Sequence, residues 1–129
     1  MRRAAVLLVS CLLPSTAGAE GVADQCRALL PALAEMNRTA PVPIDRATEL
    51  TLVWMDCDAG SLAYFKRLTV DPDRLREGWR ERKAAQHQEL HCGPDGLARS
   101  GFSVADHITG PDGFPVLSLR TAPADCSGA

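Results

Sequence analysis

The chain has 129 residues, with 14 basic against 16 acidic side chains and a formal net charge of −2 at neutral pH. That balance, with aromatic residues at only 5%, excludes the electrostatic footprint of a nucleic-acid or anionic-membrane binder and leaves few rings for stacking bases. The length suits one domain with a modest core, and no repeat or low-complexity tract divides it.

Residues 1–19 read as a secretory signal peptide. Met1-Arg2-Arg3 supplies positive charge, Ala4 to Leu13 an apolar run, and Ala17-Gly18-Ala19 a small-x-small cleavage site. The apolar run is far shorter than the roughly 20 residues that cross a bilayer, and nothing later approaches that length, so no transmembrane segment is expected. Leu8-Val9-Ser10-Cys11 resembles a lipobox, which would anchor the protein through lipid on Cys11. Against this, the apolar segment before Cys11 is short and apolar residues continue beyond it. Removal of Arg2 and Arg3 with the leader makes the remaining single domain, residues 20–129, more acidic.

Val22, Cys26, Leu29, Leu30, Leu33 and Met36 recur at spacings of three and four, which predicts an amphipathic helix over 23–37, with Pro31 as its weak point. Thr39 to Pro43 must run extended. The β formers of Glu49–Cys57 and Ser61–Val70, separated by Asp58-Ala59-Gly60, predict a hairpin. Asp71-Pro72-Asp73 starts a second helix, with Asp71 as cap and Pro72 at the first helical position. That helix is expected to run to about Leu90 and to be stopped by Cys92-Gly93-Pro94. Phe102–Ile108 and Phe114–Thr121 flank the turn Thr109 to Gly113 and predict a second hairpin, followed by a tail over 122–129. The order helix, hairpin, helix, hairpin gives an α+β fold with a four-stranded antiparallel sheet, both helices packed on one face, stapled by disulfides.

Once Cys11 leaves with the leader, Cys26, Cys57, Cys92 and Cys126 remain, an even number in an exported chain, and two disulfides are expected. Four cysteines allow three pairings, among which sequence does not choose. The expectation adopted is Cys26 with Cys57 and Cys92 with Cys126, which staples each half locally. Each loop so closed, of about thirty residues, stabilises by roughly 3 to 4 kcal/mol in the chain-entropy model.

The stretch QHQELHCGPDG, Gln86 to Gly96, sets His87 and His91 one helical turn apart, the spacing of two metal ligands, with His107 as a third candidate. With about 100° per residue counted from Leu75, Trp79, Gln86 and Leu90 cluster as the buried stripe. His87 and His91 flank that stripe beside Arg80 and Lys83, a cationic side that disfavours a cation. Glu89 points away, and HQELH lacks the glutamate that must directly follow the first histidine of HExxH. The reading that leads is a solvated helix end with histidines at the negative end of the dipole. A metal on His87, His91 and His107 is the alternative.

No catalytic residue is assigned. Two neighbouring carboxylates, Asp56 and Asp58, would raise the pKa of Cys57 and make it a poor nucleophile. Asp56, Asp58, Asp71 and Asp73 form no calcium loop, and no serine elbow, phosphate loop or dinucleotide fingerprint occurs. On the strand 50–57, strict alternation turns Leu50, Leu52 and Trp54 one way and Val53, Met55 and Cys57 the other, so both faces are apolar. One of them is either covered within the fold or used against a partner. Arg74, Arg76, Arg80, Arg82 and Lys83 are read as a solvated helix face.

The segments MNRTAPVPIDRATELTLV, GSLAYFKRL, HCGPDGLARSGFSV and the closing ADC resemble a group of small exported proteins of proteobacteria, marked by a Cys-x-Pro segment and a C-terminal Asp-Cys. The resemblance implies a periplasmic or secreted address and a disulfide between Cys92 and Cys126, with Cys26 and Cys57 as an additional pair, and lends no residue a catalytic role. The function expected is therefore a non-catalytic periplasmic or secreted interaction domain without cofactor. Its partner is another protein, or a second copy in a homo-oligomer. The alternatives are a metal-binding protein using His87 and His91, or a small secreted enzyme or inhibitor.

Overall fold

A computed structural model describes residues 19–126, with side chains from residue 21 onward. The leader over 1–19 and the lipobox cysteine Cys11 fall outside those residues, apart from Ala19 itself. Helix α1 spans Ala19–Thr39 with Pro31 inside it. Then come strands β1 (Val42–Asp45), β2 (Thr48–Asp56) and β3 (Ser61–Leu68). A 3-10 turn over Pro72–Arg74 precedes α2 (Trp79–Cys92), which is followed by β4 (Ser103–Thr109), β5 (Pro115–Thr121) and a last 3-10 turn, Pro123–Cys126.

The five strands form one sheet in sequential order, antiparallel except that β3 and β4 run parallel. This corrects the four-stranded antiparallel sheet and the repeated helix–hairpin order. The fifth strand is β1, whose residues Val42-Pro43-Ile44-Asp45 are all exposed. It sits at the sheet's edge, the place in a sheet that tolerates Pro43 without an N–H. The parallel pair arises because α2 carries the chain back across the sheet, so that β4 starts at the end where β3 started, Ser61 beside Ser103. Parallel neighbours require such a crossover, whereas a hairpin turn can only reverse the chain.

Strand β2 contains a bulge. Leu50 pairs with Lys66 but Leu52 pairs with Phe65, so Thr51 is the extra residue and the alternation shifts phase there. Leu50 and Val53 consequently point to the same side, 7% and 3% exposed. Beyond the end of β1, the outer edge of β2 is sealed from α1. Asn37 donates from Nδ2 to the Val53 carbonyl at 2.9 Å and accepts from the Val53 N–H at 2.7 Å, supplying both bonds a neighbouring strand would make.

Both helices lie on the side of the sheet where Leu50, Val53, Leu62, Leu68, Val104 and Ile108 are buried. From α1, Cys26, Val22 and Leu33 pack there, with Phe102, Val104, Leu50 and Val53 among the buried residues of these two clusters. Trp79, the first residue of α2, packs with Leu68 and Ile108. Cys26 is bonded to Cys57, and Cys92 to Cys126. The return from α2 depends on Gly96, where an added Cβ would lie 2.1 Å from the His91 carbonyl oxygen.

The second helix is shorter than the sequence suggests. Asp71 does cap, accepting from the Asp73 N–H, but Leu75 is extended and Gly78 takes a left-handed φ of 77°, so α2 restarts at Trp79. A helical phase counted from Leu75 therefore does not carry across the break. Trp79, His87 and His91 are buried while Leu90 is 68% exposed.

Candidate functional site

The alternation of β4 places Val104, Asp106 and Ile108 on the helix-covered side. Asp106 thereby becomes a buried carboxylate, 5% exposed. Its neighbour Lys66 comes from β3, also facing inward, and donates from Nζ to Asp106 Oδ2 at 2.6 Å. From α2, His87 stands with Nε2 3.5 Å from Asp106 Oδ1, too far for a well-formed hydrogen bond, so both atoms lack one. The other ring nitrogen, Nδ1, shares a 2.7 Å hydrogen bond with Thr121 Oγ1. His91 meets His87 edge-on, with ring centroids 4.5 Å apart.

Burial pushes the Asp106 carboxyl up, but the adjacent His87 ring and the hydrogen-bonded Lys66 ammonium outweigh this and hold it below the ordinary carboxylate value. Burial and the neighbouring His87 push the His91 pKa down, partly offset by Asp106. Tyr64 is raised by burial and by the same carboxylate.

This cluster floors a cleft of about 300 Å³ between α2 and the β1 edge. Ile44 and Leu90 form apolar lips, 49% and 68% exposed. Leu50 and Leu119 line it inside, and Tyr64, Lys83 and Gln86 add polar groups. Lys83 Nζ lies 3.8 Å from Asp45 Oδ2, a contact between α2 and the end of β1. Asp106, His87 and Thr121 stand in the order of a carboxylate–imidazole–hydroxyl relay, but the 3.5 Å gap at His87 Nε2 leaves its first link unmade. Thr121 is 2% exposed, so its hydroxyl has no room to meet a substrate.

The opposite side of the sheet carries no helix among the described residues. Strand register sets Leu52, Phe65, His107 and Ser118 in one row across β2 to β5, and Trp54, Ala63, Ala105 and Arg120 in the next. Trp54 is 62% and Leu52 41% exposed. Glu49 and Arg67, joined at 2.7 Å, flank these rows.

The structure brings His87 and His91 together but puts His107 on the other side of the sheet, where it stacks on Phe65 at 5.1 Å and contacts Ser118. Cys92, in its disulfide, is not a free thiolate. Among the described residues no group of three or more histidines, cysteines and carboxylates is arranged to hold a metal ion. Arg80 stacks over Trp79 at 4.6 Å instead of lying with the histidines. Lys66, Asp106 and Thr121 were not singled out by sequence, although an aspartate at the centre of Val-Ala-Asp-His-Ile, in phase with two buried aliphatic residues, is a readable sign of a buried carboxylate.

No protein-family model matches the chain, and no curated protein does. Two solved structures share the fold. A protein from Pseudomonas aeruginosa described as secreted aligns with a TM-score of 0.61 at 16% identity, over 80% of this chain and 93% of its own. The pilotin of the Vibrio vulnificus type 2 secretion system aligns with a TM-score of 0.59 at 8% identity, over 85% of this chain and 99% of its own. At such identities the likeness is one of fold. The two disulfides fit an exported protein, and no helix among the described residues is long and apolar enough to cross a membrane.

Proposed function

We propose that the protein is a non-catalytic periplasmic or secreted interaction domain, and that the uncovered side of its sheet is the surface that meets another protein. One observation carries this reading: a sheet with both helices on one side leaves Trp54 and Leu52 projecting from the other, 62% and 41% exposed. Alanines at 63 and 105 keep the row beside Trp54 low, so a partner surface can settle against the indole. Exposed aromatic anchors on flat surfaces are where binding energy concentrates. The use of the same fold by a secretion-system pilotin and by a secreted protein supports an exported setting and work alongside other proteins.

A photo-crosslinking residue at Ala63, with a control at the exposed Leu30 of α1, tests the reading in the exporting cell. Crosslinks to one discrete protein from position 63, absent at position 30 and abolished by Trp54→Ser, are expected. A crosslinked second copy of the chain would make the contact a homo-oligomer. Equal crosslinking from both positions, or crosslinks indifferent to Trp54→Ser, would overturn it.

A further inference from the structure

The cleft on the helix-covered side holds more hydrogen-bond donors than acceptors. Lys66 has three N–H groups and uses one on Asp106 at 2.6 Å. Lys83 reaches the rim, and Gln86 and His91 face the cleft from the same helix. Tyr64, its phenol held protonated by burial and by Asp106, adds an O–H. Asp106 is the one carboxylate of the lining and is already neutralised by Lys66. Lys83, half-exposed, lies 3.8 Å from Asp45 Oδ2, a loose surface contact that leaves its ammonium able to turn toward the cleft.

The remainder of the lining is aliphatic: Ile44, Leu50, Leu90 and Leu119. Two of these, Ile44 and Leu90, are the exposed lips. The His87 Nε2 and Asp106 Oδ1 atoms are buried without hydrogen-bond partners at the floor. These two atoms lie 3.5 Å from each other and, with the two Lys66 N–H groups not used on Asp106, make this end of the cleft polar. The volume of about 300 Å³ is at the small end for ligand pockets.

We propose that this cleft binds a carboxylate carried on an apolar stem, the carboxylate toward Lys66, Lys83 and His91, the stem between Ile44 and Leu90. Lys66 offers its remaining N–H groups from within, Lys83 supplies positive charge from the rim, and Gln86 and Tyr64 donate to the oxygens. The site is independent of the bare side of the sheet and stands or falls apart from it. A free organic acid and an apolar C-terminal residue of a peptide present the same chemistry.

Calorimetric titration of the disulfide-bonded protein with decanoate, and with decanol as the same stem without the charge, tests the proposal. A parallel arm uses a short peptide ending in leucine, with a free or an amidated terminus. Saturable one-to-one binding of an acid is expected, with its neutral counterpart at least about tenfold weaker. Lys83→Glu and Leu90→Asp, both at exposed rim positions that leave the fold intact, should each weaken the acid about tenfold. Decanoate alone binding identifies a free acid, and the unblocked peptide alone identifies a chain terminus. Absence of binding by both acids, or equal binding of decanol and the amidated peptide, overturns the proposal.

Discussion

The two sides of the sheet are built from the same strands by opposite chemistry. On the helix-covered side, charge is buried and paired: Lys66 and Asp106 sit beneath α2 beside the His87 ring, with aliphatic residues around them. On the other side, apolar groups are exposed and the charges lie at the margins, as with Glu49 and Arg67. The covered side therefore holds stability hostage to its polar groups, while the bare side can change without unfolding the protein. Strand alternation alone produces this division, since each strand contributes to both sides.

Substitutions can break this contrast, beginning with the most damaging. Asp106→Leu strands the Lys66 ammonium beneath α2 and should cost about 3 to 5 kcal/mol in denaturant unfolding, whereas Lys66→Met with Asp106→Leu restores most of that loss. If the single variant unfolds like the parent, the buried pair does not hold this side together. Replacing Cys92 and Cys126 by alanine should remove roughly 3 to 4 kcal/mol, because the bond closes a separation of 34 residues. Asn37→Ala, read by the same measurement, leaves the N–H and carbonyl of Val53 without partners at the β2 edge and should cost about 1 to 3 kcal/mol.

Acid should weaken the covered side in two stages. The His91 pKa is lowered from its ordinary 6.5, so below that pH the unfolded chain takes up a proton more readily than the folded one, and stability falls with pH. The Asp106 pKa is lowered from 3.8, so its contribution is present above that value and is lost as pH falls through the lower folded value. Melting temperature followed from pH 7 downward should show both declines, and His91→Gln should remove the first while leaving the second. The smallest effect belongs to the bare side: Trp54→Ser should shift stability by no more than about 0.5 kcal/mol. A large loss there would mean that the indole is part of the core and not a contact surface.

Much of the local structure could be read from sequence because it is written in neighbouring residues. The periodicity of Cys26 and Leu33 marks α1, Asp71-Pro72-Asp73 marks a capped turn, and the runs around Asp58-Ala59-Gly60 mark β2 and β3. What escaped was non-local or depended on a single residue. The pairing of Ser61 with Ser103 joins residues far apart, and no local pattern announces it. Thr51 resets the alternation of β2 without any glycine to signal the bulge. Gly78 breaks the helical phase between Leu75 and Trp79, and within α2 the apolar Leu90 faces out while His87 and His91 are buried, the reverse of what an apolar stripe predicts. The cleft lies at the meeting of both errors, since Leu50, just before the bulge, and α2, just after the break, form its walls.

The two disulfides also decide how the chain can come apart. Each closes a ring: residues 26–57 hold β1 and β2, and residues 92–126 hold β4 and β5. A single peptide-bond cut inside either ring, such as at the exposed turn between Gly110 and Gly113, leaves both pieces covalently joined. Between the two rings, only the stretch from Cys57 to Cys92, with β3 and α2, lets one cut sever the molecule into halves. Under attack by proteases, the enduring parts of the protein are thus its rings, and its durability rests on the central strand and the helix that bridge them.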